Sequence, residues 1–216
     1  VKVLPITALE PEADVVVECA PAELLSDIIA PFLRAKKKAI VLSVGAILFK
    51  PELIELAKTT GGTIMVPTGA LIGLDAMVAA AEGEIFSVKM VTNKPPLGLK
   101  GAPHLIENDI SVDGLTEPLK VFSGNAREAA KGFPANLNVA VALALAGVGP
   151  EKTHLEIWAD PTVVRNTHTI TVESDSAKFS MKMENIPSEN PKTGRIVAQS
   201  VIAMLRKMRA TLQIGT

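Results

Sequence analysis

At 216 residues the chain can form one large domain or two smaller ones, each with its own core, and 48% hydrophobic residues exclude a disordered polymer. Lys and Arg number 22 against 23 Asp and Glu, a formal net charge of −1, and aromatic residues are only 3%. Neither the basic excess nor the stacking surface of a nucleic-acid or anionic-membrane partner is present. The single cysteine, Cys19, excludes an intrachain disulfide and a multi-cysteine zinc site. The apolar run at 139–149 is shorter than the ~18 to 20 residues that cross a bilayer, and the first residues do not resemble a signal peptide. A cytoplasmic location is therefore expected.

In chain order, "ADVVVECAP" (13–21) is a continuous β-branched run ending in small residues, the pattern of a parallel strand buried on both faces. "AELLSDIIAPFLRAKK" follows with Leu24, Leu25, Ile28, Ile29, Phe32 and Leu33 at helical spacing, Pro31 being a kink candidate. "AIVLSVGA" (39–46) predicts the second strand. "KPELIELAKTTGG" predicts the second helix, with Pro51 early and Gly61 and Gly62 past its end, and "TIMVPTGA" (63–70) the third strand. Strand and helix in alternation with short connections imply a right-handed parallel sheet.

Beyond Gly73 the pattern changes. "IFSVKMVTNKPP", "LKVFSG", "HLEIWADP", "HTITVES" and "KFSMKMEN" alternate as strands with one polar face, "SDSA" reads as a hairpin turn, and helices fit "NAREAAKGF" and "ANLNVAVALALAG". "PKTGRIVAQSVIAMLRKMRATL" predicts a long closing amphipathic helix with a basic solvated face. The expected fold class is α/β: a partial Rossmann-type doubly wound parallel sheet over 1–72, then an α+β domain with a mostly antiparallel sheet over 73–190. The helix at 191–216 is expected to pack on the first domain.

Ligands of open parallel sheets bind beyond the carboxyl ends of the strands. Here those ends read "ECAP", "SVGA" and "PTGA", whose small residues let a flat ligand approach the backbone. The dinucleotide fingerprint G-x-G-x-x-G does not occur in 1–216, so either the edge is not a dinucleotide site or the fingerprint lies upstream of Val1.

Of the three histidines, His104 in "KGAPHLIEN" reads as an exposed loop residue, and His154 alternates onto the wetter face of a strand. No paired-histidine spacing of a metal site occurs. His168 shares its strand face with Ile170 and Val172. It is therefore either a satisfied core histidine or an acid–base group titrating near an ordinary ~6.5, with Asp160 and Asn166 close enough in sequence to orient it.

At "EIWADPTVVRNTHTITV" the chain resembles the aspartate dehydrogenase family, and the likeness extends in order through "VVECA", "SVGA", "PTGALIGLDA", "KPP", "LKG", "FPANLNVA" and "ENIPSENPKTG". The resemblance implies a homodimeric enzyme with a Rossmann domain and an α+β catalytic and dimerisation domain. Its implied reaction is oxidation of L-aspartate with NAD or NADP to iminoaspartate, which hydrolyses to oxaloacetate and ammonia or feeds NAD biosynthesis. It places the catalytic histidine at His168 and cofactor contacts at Ala70 and Asn138. By residue chemistry alone Ala70 reads equally as a close-packing residue, and Asn138 as a helix cap or satisfied amide. Lys94, Lys100, Asn190 and Lys192, borne on the matching motifs, are candidates for holding the substrate carboxylates. "NPKT" (190–193) resembles a loop bordering the active cleft.

Overall fold

The computed structural model describes residues 2–134, 137–189 and 194–215 and divides into two compact units, Val1–Pro67 and Thr68–Thr216.

In the first unit β1 (Val15–Glu18), β2 (Lys38–Val41) and β3 (Thr63–Met65) form a parallel sheet in the order β1-β2-β3. The connections are α1 (Leu25–Arg34), which runs through Pro31, and α3 (Pro51–Thr60). Pro51 occupies the first turn of α3, where its missing N–H would have no partner anyway, and Gly61 ends it in the left-handed region at φ 83°. Leu25, Ile29, Phe32 and Leu33 of α1 pack with Val16, Ala39, Val41 and Leu53 into one core. The second and third strands are shorter than the sequence predicts. After Val41 the chain turns into a short helix, α2 (Val44–Ile47), because Glu18 captures the segment following β2. Its buried carboxylate accepts from the backbone N–H groups of Leu42 (3.2 Å), Ser43 (2.9 Å) and Ala20 (3.1 Å) and from the Ser43 hydroxyl (2.9 Å).

The second unit carries a five-stranded sheet in the order β5-β6-β4-β7-β8. Its strands are β4 (Ile85–Lys94), β5 (Leu119–Asn125), β6 (Thr153–Ala159), β7 (Thr167–Ser174) and β8 (Lys178–Glu184). Only the central β4–β6 pair is parallel. Around the sheet run α4 (Leu74–Ala80), α5 (Pro103–Glu107), α6 (Ala126–Gly132), α7 (Asn138–Ala146) and α8 (Ile196–Lys207). Asn125 caps α6 reciprocally with Glu128. α7 is buried along Ala140–Ala144, which accounts for its unbroken apolar sequence. α4 and α5 lie where the sequence showed only a change of character, since neither is long enough for a helical period to stand out. The sequence pattern places the division after residue 72 and the closing helix on the first domain. The compact units instead divide after Pro67, and α8 falls within the second, where the Ser200 hydroxyl accepts from the Gly69 N–H (3.1 Å).

Strand alternation sorts the second sheet into two faces. Val88, Met90, Thr92 and Lys94 of β4, Thr153, Leu155, Ile157 and Ala159 of β6, and His168, Ile170 and Val172 of β7 are buried. The reverse face is polar and more exposed, and carries Lys89, Glu156, Trp158, Thr169 and Lys182. No helix of the described residues is long and apolar enough to cross a membrane.

Candidate active site

The buried face ends in a cluster of polar groups at the Lys94 end of β4. Antiparallel pairing sets Thr92 directly opposite His168, and Thr92 Oγ1 lies 3.1 Å from His168 Nδ1. His168 and Lys94 are each only 4% exposed, and Lys94 is two residues along β4, on the same face as Thr92. Burial, the larger cause, and the nearby Lys94 charge push the His168 imidazole down to about 3. The ring is therefore neutral in the unliganded protein and does not titrate near 6.5 as its type suggests. Burial alone pushes the Lys94 ammonium from 10.5 down to about 8, so Lys94 is still cationic at neutral pH. The protein thus holds a proton acceptor and a cation side by side in a low-dielectric setting.

The same face continues past the ends of β7 and β8. His168 pairs with Met183, and two positions further on, past the Thr167–Glu184 pair, the Asn185 N–H donates to the Asn166 carbonyl (3.0 Å). By alternation Asn166 and Asn185 share the His168 face. The Asn185 amide group donates to the Ala70 carbonyl (3.1 Å), tying the segment after β3 to this end of the sheet.

Proximity in sequence offers Asp160 as a group to orient His168, and the structure corrects this. Asp160 Oδ1 accepts from Thr162 N (2.9 Å) and Thr162 Oγ1 (2.6 Å), and Oδ2 from Asn93 Nδ2 (3.0 Å). Burial works to raise the Asp160 carboxyl, but these hydrogen bonds prevail and hold it below its ordinary value. Asp160 therefore organises the β6–β7 turn, and the partner of His168 is Thr92 on another strand. Asn93, pointing away from His168, helps line a cavity of about 420 Å³ on the reverse face with Thr162, Arg165, Thr167, Thr169 and Lys182.

Of the other positions singled out from the sequence, Lys94 joins the His168 cluster and Ala70 is linked to it through Asn185. Asn138 is an exposed first residue of α7. Lys100 is an exposed partner of Asp113 (2.9 Å), an ion pair set by the turn that follows Pro95–Pro96. Asn190 and Lys192 lie outside the described residues. His104 is not an exposed loop residue: it sits on α5 with its ring 5.2 Å from Phe122 and 5.3 Å from Phe133. His154 is on the wetter face, 3.4 Å from Ser123 Oγ. Among the described residues no group of three His, Cys, Asp or Glu could hold a metal ion. Thr92, Glu18 and Asn185 were not singled out from the sequence. Alternation along "VKMVTNK" puts Thr92 on the Lys94 face, but only cross-strand register reveals that it meets His168.

A short parallel α/β sheet followed by a mixed sheet whose covered face ends in a neutral imidazole and a buried cation is the layout of a pyridine-nucleotide-dependent oxidoreductase. Comparison with known proteins agrees. Residues 75–208 match the family model "Aspartate dehydrogenase, C-terminal", and residues 2–67 match "Homoserine dehydrogenase, NAD binding domain". The chain is 65% identical to L-aspartate dehydrogenase 3 of Bordetella bronchiseptica over 100% of its own length and 79% of that protein. It is 64% identical to L-aspartate dehydrogenase of Bradyrhizobium diazoefficiens, covering 77% of it. The crystal structure of aspartate dehydrogenase from Thermotoga maritima superposes with a TM-score of 0.76 at 27% identity, covering 93% of this chain and 78% of that one. The chain belongs to the aspartate dehydrogenase family.

Proposed function

We propose that the protein is an NAD(P)-dependent L-aspartate dehydrogenase that converts L-aspartate to iminoaspartate, which hydrolyses to oxaloacetate and ammonia or passes to NAD biosynthesis. The observation that carries this reading is the buried face on which a neutral His168 stands beside a cationic Lys94, in a chain similar along its whole length to proteins named for this activity. Lys94 holds a substrate carboxylate, an interaction strengthened by its dry surroundings. Pairing with that carboxylate removes the Lys94 repulsion felt by His168, and the substrate's negative charge further favours the imidazolium. With Nδ1–H donating to Thr92 Oγ1, His168 Nε2 carries the lone pair. It takes a proton from the α-ammonium group, leaving the amine lone pair free to form the C=N bond, and later serves water addition to the imine.

The nicotinamide cofactor, when bound, accepts the hydride from the substrate α-carbon. Ala70 and Asn138 are its proposed contacts, Ala70 being small enough to let a flat ring approach the backbone. In this reading the first unit is the cofactor domain and the second the catalytic one. The enzyme works in the cytoplasm as a homodimer, with the second unit providing the dimer contact.

The test is replacement of His168 by Ala, following oxidation of reduced cofactor by absorbance with oxaloacetate and ammonia. Activity is expected to fall at least about 100-fold, as for a positioned acid–base group. Turnover within about tenfold of the parent would remove His168 from the role. An unaltered protein inactive with both cofactors would remove the enzyme reading itself.

A further inference from the structure

Glu18, the last residue of β1, is fully buried, and the groups that meet its carboxylate are all uncharged donors. A buried acid is costly unless its oxygens are hydrogen-bonded, and here the bonds divide evenly between them. Oε1 accepts from the Ala20 N–H and the Ser43 hydroxyl, and Oε2 from the N–H groups of Leu42 and Ser43. Ala20 lies just beyond β1, and Leu42 and Ser43 just beyond β2, whose parallel pairing with β1 ends at Glu18–Val41. One side chain thus fixes the backbone past two adjacent strands at their carboxyl ends, the edge at which open parallel sheets bind ligands. Free N–H groups gathered at such an edge make an anion site. Three of them here already serve an internal acid, whose negative charge further opposes a phosphate. What the edge presents outward is small instead. Cys19 is exposed and Ala20, Gly45 and Ala46 are half-buried, so a flat ring can lie close to the backbone.

We propose that Glu18 is a positioning residue that shapes this edge for the nicotinamide end of the cofactor and keeps the cofactor's diphosphate away from it. The inference rests on the dehydrogenase reading and extends it: residues 2–67 match an NAD-binding domain, while the three strand ends carry no diphosphate-cradling G-x-G-x-x-G. Glu18 acts through Ala20, Leu42 and Ser43 rather than by contact, since the chain it holds covers it. Glu18→Gln preserves the shape but leaves one acceptor oxygen and an NH₂ that only donates. The NH₂ is best tolerated in the place of Oε1, because the Ser43 hydroxyl can turn to donate to the Ala20 carbonyl, 3.3 Å away, and accept from the new amide. The Ala20 N–H then loses its partner, and the backbone at Cys19 and Ala20 is released.

The test titrates two ligands by calorimetry. One is the reduced cofactor, NADH or NADPH, that the unaltered protein binds; the other is the matching ADP-ribose, which keeps the adenosine and diphosphate and lacks the nicotinamide. Glu18→Gln is expected to weaken the reduced cofactor about tenfold or more and to leave ADP-ribose within about threefold. General damage to the first unit weakens both ligands alike, so equal losses overturn the proposal. A loss confined to ADP-ribose overturns it by assigning the edge to the diphosphate, and unchanged affinity for the reduced cofactor overturns it also. Where Glu18→Gln does not fold, Ser43→Ala decides the matter. It removes the hydroxyl donor and leaves the backbone donors in place, and it is expected to weaken the reduced cofactor about fivefold with ADP-ribose unchanged; equal losses, or none, overturn the proposal. Failure of the unaltered protein to bind either reduced cofactor removes the functional reading together with this one.

Discussion

Replacing Lys94 by Met removes a charge that the fold holds out of water. The Lys94 ammonium falls from 10.5 to about 8 through burial alone. At about 1.36 kcal/mol per tenfold change in proton affinity, keeping it protonated inside the protein at neutral pH costs about 3 kcal/mol. Met has similar length and no charge, and its flexible thioether adapts to a buried site. Lys94→Met is therefore expected to stabilise the unliganded protein by up to about 3 kcal/mol at pH 7, a rise of at most roughly 6 to 12 °C in thermal midpoint for a unit of this size, while abolishing binding of dicarboxylates. The pH dependence gives an internal check. Below about 8 the residue is protonated in both folded and unfolded chains, and the advantage of the variant is constant. Between about 8 and 10.5 the unfolded chain holds more protons than the folded one, so the parent gains stability as pH rises and the advantage disappears. Differential scanning calorimetry of both proteins from pH 7 to 10.5 reads this directly. A variant no more stable than the parent at pH 7, or an advantage that does not change with pH, would refute the assignment of Lys94 as a desolvated cation held for ligand binding.

Thr92→Val replaces the partner of His168 Nδ1 by a side chain of the same shape without the hydroxyl. It is expected to lower kcat about tenfold through loss of ring and tautomer orientation, with the KM for L-aspartate nearly unchanged; steady-state kinetics distinguish this from a binding defect. Asn125→Ala removes the reciprocal cap of α6 and is expected to destabilise the protein by about 1 kcal/mol, as read by urea denaturation, without altering the kinetic constants. The His168→Ala experiment completes the set, with turnover as its observable.

Much of the fold is legible in local pattern. The β-branched run at 15–17 lies in β1, Pro51 and Gly61 bracket α3, the apolar "VAVALALA" forms α7 with Ala140–Ala144 buried, and the alternation of "THTITV" puts His168 on the covered face. These features depend on residues within a few positions of one another, where helix caps and strand periods are encoded directly. The polar face itself is also half-visible, since Lys94 and His168 each alternate with apolar neighbours.

What only the tertiary structure decided is which strands lie side by side. Thr92 meets His168 across 76 residues of chain and Asn185 meets Ala70 across 115. Asp160, eight residues from His168 in sequence, turns instead to Thr162 and Asn93. Register between strands is set by the joint burial of five strands and the helices above them, a sum over the whole sheet that no local window contains. The desolvation that neutralises His168 and lowers Lys94 likewise arises from what covers them. The sequence by itself determined that an imidazole would share a strand face with apolar residues; the assembled sheet determined that it would lie against Thr92, with the buried Lys94 ammonium on the same face.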